Sequence, residues 1–102
     1  MNVRTELGGE PSPTSILAKK WAVEVILTLG DRTVRFSTLR RELNGVTAKS
    51  LTDVLQQMLE RELVRRDHFP VIPPRVEYSL SPLGLELLKA LGPLQAFAAR
   101  TA

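Results

Sequence analysis

Residues 37–61 read STLRRELNGVTAKSLTDVLQQMLER, and the reading of this stretch decides the fold. Ser37 offers a hydroxyl cap for a short helix of about two turns through Leu43. Asn44-Gly45 then supplies a tight turn, because both residue types tolerate the backbone angles that a reversal needs. Thr47 caps a second, longer helix running to about Arg61. Short helices joined by about four residues have helix-turn-helix spacing. On the longer helix Leu51, Val54, Leu55, Met58 and Leu59 share one face, while Lys49, Ser50, Asp53, Gln56, Gln57 and Glu60 share the opposite one. One face is therefore core, and the other is free to meet a partner.

Upstream, Ile16 to Leu29 reads as one helix capped by Thr14 or Ser15, with Lys20, Glu24 and Thr28 as a narrow polar stripe on an otherwise apolar cylinder. Residues 1–14, with Gly8, Gly9, Pro11 and Pro13, lack periodicity and read as a flexible arm before a domain at 15–102. A short β-prone stretch, Thr33 to Phe36, leads into Ser37. Downstream, Leu63 to Phe69 and Arg75 to Leu80 read as the strands of a hairpin, the second alternating Val76, Tyr78 and Leu80 with Arg75, Glu77 and Ser79. Pro70, Pro73 and Pro74 cannot donate to a ladder, so the segment between the strands is a protruding loop. Glu77 is expected to pair across the hairpin with a strand arginine. Ser81 caps a last helix with Pro82 at its first position, running to about Arg100 and kinked or split at Gly92-Pro93. The resulting class is mainly α with a small β-hairpin (α+β): a winged helix-turn-helix dimerising through its first and last helices.

Composition narrows the function. The 102 residues are 43% hydrophobic, enough for one modest core, and no Cys is present. Disulfides, thiolate nucleophiles and sulfur-rich zinc sites are therefore unavailable. A single His, His68, leaves little for acid–base chemistry or a metal cage, and no glycine-rich phosphate loop appears. No catalytic residue, metal or cofactor is expected, and a strand histidine near the loop reads as an incidental polar residue rather than a pH switch. The net charge is +3. Residues 32–75 hold nine Arg and Lys against five acids, and the remainder five against six. That basic excess lies on the helix-turn-helix and hairpin, where a helix can enter the major groove of duplex DNA and the loop can meet the backbone or minor groove. The apolar stretch from Ile16 is interrupted by Lys19, Lys20 and Glu24, so no membrane segment is expected, and a cytoplasmic setting is expected.

The expected DNA-binding set is Arg35, Ser37, Arg40, Thr47, Lys49, Ser50, Asp53, Gln56, Gln57, Arg66 and Arg75. Gln suits adenine, Lys suits guanine and a carboxylate accepts from cytosine, whereas arginines at the loop suit phosphate. The competing reading of the helix face is a solvated surface on which Lys49 and Asp53 form an i, i+4 pair of about 0.2–0.5 kcal/mol. Trp21 reads as packing rather than ligand stacking. The broad apolar arcs of the terminal helices exceed what so small a monomer can cover, which places Ile16, Leu17, Trp21, Val25, Leu87, Leu88, Leu91, Leu94 and Phe97 at a homodimer interface.

Several strings carry a resemblance to one family: Lys20-Trp21, Arg35-Phe36-Ser37-Thr38-Leu39-Arg40-Arg41, Asn44-Gly45-Val46, Lys49-Ser50-Leu51-Thr52, Leu63-Val64-Arg65-Arg66, and above all Pro73-Pro74-Arg75-Val76-Glu77-Tyr78-Ser79-Leu80 followed by Leu83-Gly84. Between about Lys20 and Leu88 the chain resembles the HxlR-type winged-helix transcriptional regulators, of the MarR-like superfamily. The resemblance implies a homodimer, formed through the first and last helices, on a two-fold operator in double-stranded DNA, often as a repressor. Three departures stand out. Oxidant-sensing members use a Cys ahead of the first helix, and this chain has none; no effector is named by its residues. Glu62 stands where the family usually has Gly, so the turn there is either strained or differently shaped. Asp53 and Val54 stand where Arg or Gln is frequent, and a carboxylate there repels phosphate. That favours an alternative in which a dimer of weakened DNA affinity acts through a protein partner.

Overall fold

The helix-turn-helix forms where the capping residues place it. The computed structural model describes residues 12–101, so the expected arm lies largely outside the described residues. Helix α1 spans Ala22–Leu29, strand β1 Val34–Arg35, α2 Phe36–Glu42, α3 Ala48–Glu60, β2 Val64–Phe69, β3 Arg75–Leu80 and α4 Pro82–Thr101. Gly45 turns the chain between α2 and α3 at φ 94°, a left-handed angle that costs glycine nothing. The Thr47 hydroxyl accepts from the Ser50 amide at 3.0 Å and starts α3. Leu51, Val54, Leu55 and Met58 of α3 are buried.

The first expected helix is not continuous. Residues Pro13–Ala18 form a 3-10 helix whose N-cap is Ser12, with Pro13 pre-set for its first turn. The chain then bends through Lys19, Lys20 and Trp21 before α1 begins, and Trp21 takes a left-handed φ of 73°. Apolar spacing registers which side chains face the core but not a bend that keeps them there: Ile16, Val25, Ile26 and Leu29 are all fully buried despite the break. The expected cap of α2 also moves. Its N-cap position is Arg35, in extended backbone, because β1 runs directly into the helix and Phe36 is its first residue. Ser37 lies inside the first turn.

The sheet has three antiparallel strands in the order β1-β3-β2, not the two of a simple hairpin. Val34 pairs with Tyr78 and Arg35 with Glu77 on one side of β3, and the β2 register runs from Val64 opposite Leu80 to Phe69 opposite Arg75. Val34, Val64, Tyr78 and Leu80 are buried on the core face. Residues 70–74 bridge β2 and β3 as the protruding loop, or wing, with Ile72 fully exposed at its tip.

The junction after α3 is where Glu62 replaces the expected glycine. The Leu63 amide donates to the Met58 carbonyl at 2.9 Å and the Glu62 amide to the Leu59 carbonyl at 3.0 Å, the paired bonds that close a helix end with a left-handed residue. Glu62 supplies that residue at φ 59°, so the strained alternative holds. Ser81 grips the same junction. Its hydroxyl donates to the Glu62 carbonyl at 2.6 Å and accepts from the Gly84 amide at 3.0 Å, capping α4 while pinning it to the turn. Helix α4 then runs through Pro93 without being split. The amide lost at Pro93 orphans a carbonyl at Lys89, an exposed residue that water can reach.

Candidate nucleic-acid interface

The outer stripe of α3 is exposed at Lys49, Asp53, Gln56 and Glu60, and it is paired within itself. Lys49 Nζ lies 3.0 Å from Asp53 Oδ2, with both side chains largely in water, and Gln56 Nε2 donates to Glu60 Oε2 at 3.4 Å. A solvated i, i+4 pair is worth only about 0.2–0.5 kcal/mol, so either group opens readily toward a stronger partner. Gln57 is less free: its amide oxygen accepts from Arg61 Nη1 at 2.8 Å. Arg61 is itself buried, and its Nε donates to Ser15 Oγ at 2.8 Å, tying the 3-10 helix to the end of α3. Ser50 is half-buried, and the Thr47 hydroxyl is committed to its cap.

Beside this stripe, the start of α2, the middle of α3 and the wing enclose an open cleft of about 440 Å³ bordered by Arg35, Ser37, Thr52, Arg66 and Arg75. Arg35 and Arg66 are exposed and form no ion pair among the described residues. Arg75 is anchored instead. Its Nε lies 3.0 Å from Glu77 Oε2, without the alignment of a directed hydrogen bond, and its guanidinium stacks 4.7 Å from the centre of the Phe69 ring. Glu77 therefore pairs along its own strand, two residues away, and not across the hairpin, where the residue opposite it on β2 is the like-charged Asp67; Arg35 stands opposite it on β1 without forming an ion pair among the described residues. Tyr78 floors the region; burial pushes its phenol above the usual range, against an opposite pull from Arg66, and it stays neutral. Arg40 and Ser37 border a second depression at the turn, with Arg41 and Asn44. His68 is exposed on β2. Thr52 is the exposed polar residue of the cleft absent from the expected set, although its place three residues after Lys49 and four before Gln56 puts it at the edge of their stripe.

Basic groups from three strands thus line one flank of an exposed helix face. A family model described as HxlR-like helix-turn-helix matches residues 16–102. The chain belongs to the HxlR-like helix-turn-helix family. A curated relative, the uncharacterized HTH-type transcriptional regulator YtfH of Escherichia coli K12, is 38% identical over 78 residues, covering 76% of this chain and 62% of that protein. The aligned segment is thus under two-thirds of that relative's length. A solved structure from Porphyromonas gingivalis W83, described as a transcriptional regulator of the MarR family, superposes with a TM-score of 0.83 at 29% identity over 100% of both chains. A second, from Enterococcus faecalis V583, gives 0.79 at 37% identity over 87% of this chain and 81% of the other. The HxlR-like family and these relatives are transcriptional regulators, not enzymes.

The residues expected at a dimer interface divide. Ile16 and Val25 are fully buried and Leu91 is 3% exposed, so these three pack inside the protomer's own core and have almost no surface for a partner to cover. Trp21, Leu87 and Leu88 are half-buried against that core. Leu17, Leu94 and Phe97 are exposed. Among the described residues no helix is long and apolar enough to cross a membrane.

Proposed function

We propose that this HxlR-like chain is a sequence-specific DNA-binding regulator that acts as a homodimer on a two-fold operator, with α3 in the major groove and the wing on the neighbouring backbone. The observation that carries the reading is the convergence of Arg35, Arg66 and Arg75 with Ser37 and Thr52 beside the exposed stripe of α3. A helix of this diameter fits the major groove, and arginines at its edge supply phosphate contacts that position it. Homodimer formation is supported by the uncovered Leu94 and Phe97 on α4, which a two-fold copy would bury. Repression, in the cytoplasm, is the regulatory direction that the family resemblance favours; a rise in expression of adjacent genes on deletion tests it.

The test of binding is a mobility shift on DNA flanking the chain's own gene, repeated over a range of salt. Each phosphate neutralised releases a counterion, so six or more contacts in the dimer give a log–log slope of about −5 or steeper. Sedimentation equilibrium at micromolar concentration tests the dimer. A second reading has one observation in its favour: with Lys49 set against Asp53 and Glu60, the exposed stripe of α3 carries a net negative charge, which suits a basic protein partner better than phosphate. No shift on any DNA, with a partner protein retained, would select it.

A further inference from the structure

The net charge of the α3 stripe raises the question of where attraction to a duplex comes from. The wing cleft answers for one flank of the helix, the flank that carries Thr52. The opposite flank borders a second cleft, of about 370 Å³, whose α3 side includes Ser50, Asp53 and Gln57 and whose far side is Lys19, Lys20 and Trp21. At ~100° of rotation per residue, Ser50 and Gln57 stand roughly 140–160° around the helix from Thr52, so the two clefts lie on either side of the stripe that carries Lys49, Asp53 and Gln56.

Lys19 and Lys20 are exposed and unpaired among the described residues, and their backbone is held. The Lys19 amide donates to the Ile16 carbonyl at 2.9 Å, the Ala22 amide to the Lys19 carbonyl at 3.3 Å, and the Val25 amide to the Trp21 carbonyl at 2.9 Å. Ile16 on one side of the bend and Ala22 on the other are fully buried. Trp21 holds the bend at φ 73°, where a bulky side chain is rare and strained by about 1–3 kcal/mol. The bend holds two adjacent exposed lysines beside the flank of the recognition helix.

We propose that Lys19 and Lys20 form a second phosphate clamp, so that α3 is flanked by cations on both walls of the major groove: Arg35 and Arg66 toward one phosphate backbone, Lys19 and Lys20 toward the other. The inference rests on the DNA-binding reading above and deepens it. A helix seated in a groove about 12 Å wide has a phosphate backbone on each side, and a stripe with no net positive charge depends on cations at its flanks to be drawn in.

The experiment compares wild type, the double variant K19Q/K20Q, the charge-keeping K19R/K20R and a wing control, Arg66→Gln, on one bound duplex across a salt series. Backbone positions are also replaced singly by uncharged methylphosphonate. The clamp predicts that K19Q/K20Q flattens the log–log slope by about 2–4 for the dimer and weakens specific and non-specific DNA alike by tenfold or more, while K19R/K20R keeps the slope. Methylphosphonates that weaken wild type but no longer weaken K19Q/K20Q should fall on the opposite groove wall from those insensitive in Arg66→Gln. A melting curve checks that each variant is folded. An unchanged slope in K19Q/K20Q, with wild type bound, overturns the clamp alone; lost affinity at an unchanged slope also overturns it and points to a small anionic ligand in the cleft. Wild type binding no duplex overturns both this inference and the DNA-binding reading.

Discussion

Leu91 and Leu94 stand three residues apart on α4, yet Leu91 is 3% exposed and Leu94 is 55% exposed. The same division holds along the helix. Its first half buries Gly84, half-buries Leu87 and Leu88, and is pinned by Ser81 to the turn after α3. Its second half, from Gly92 through Arg100, is exposed throughout, Phe97 included at 54%. Both halves carry apolar residues at helical spacing, so spacing alone cannot tell a buried core face from an exposed apolar one. Contact decides: the first half lies over β3 and the α3–β2 junction, and the second extends past them.

Leu91→Asp would break the comparison most severely. It puts a carboxylate into a site that the protomer already fills, removing apolar contact and leaving an unpaired charge with little water, at a cost of about 3–5 kcal/mol. A domain of ordinary stability keeps little after that. The expected outcome is an unfolded or aggregated chain at every protein concentration, read by circular dichroism; a folded monomer would return Leu91 to the interface.

Gly84→Ala tests the first half by close approach. A Cβ there would collide with the Leu63 carbonyl oxygen and stand 3.2 Å from Leu80 Cβ, and backbone cannot step aside as a flexible side chain can. The same carbonyl accepts from the Ser81 amide at 2.9 Å, so relief of the clash weakens the pin of α4. The expected loss is about 2–3 kcal/mol after the ~1 kcal/mol gain in helix propensity, seen in chemical denaturation. A neutral result would mean that α4 does not press on the Leu63 carbonyl at residue 84.

Leu94→Asp moves the test to the second half, where the protomer has nothing to lose. Covering an exposed Leu or Phe on each copy contributes about 1.5–3 kcal/mol per side chain, so a charge at Leu94 should dissociate a dimer built on this face. The expected outcome is a folded monomer by sedimentation, with unfolding of the monomer unchanged within about 0.5 kcal/mol. Persistence of the dimer would place its interface elsewhere.

The sequence reading succeeded where local chemistry acts alone. Thr47 and Ser81 cap the helices assigned to them, β3 spans the residues that alternate, and the Lys49–Asp53 pair forms at the spacing that allows it. It failed where a distant element supplies the constraint. Ser37 loses the cap because β1 pairs with β3 and carries the chain directly into α2. The apolar run from Ile16 to Leu29 hides a bend because both sides of the bend reach the same core. Of the candidate interface, Lys49, Gln56, Arg35 and Arg66 were legible as exposed polar groups on predicted elements. The cleft that joins Arg35 to Arg66 and Thr52 was not, since it depends on how the wing folds back beside α3.

The smallest effect expected, Gly92→Ala, completes the contrast within α4. Outside its chain neighbours and its own helix backbone, Gly92 has no atom within 4 Å of where a Cβ would stand, whereas Gly84 meets the Leu63 backbone at once. Alanine loses less backbone entropy than glycine, a gain of about 0.5–1 kcal/mol in an exposed helix. Residue 92 precedes Pro93, however, and a Cβ crowds the proline Cδ in helical backbone, which offsets much of that gain. The melting temperature should therefore move by no more than roughly 4 °C in either direction, measured at a fixed protein concentration because association also shifts the midpoint. The same substitution at two glycines of one helix should thus be costly at Gly84 and nearly neutral at Gly92. A destabilised Gly92→Ala dimer with an unaffected monomer would mean that the partner's backbone packs against residue 92, and the interface would then begin one turn earlier than Leu94 and Phe97 indicate.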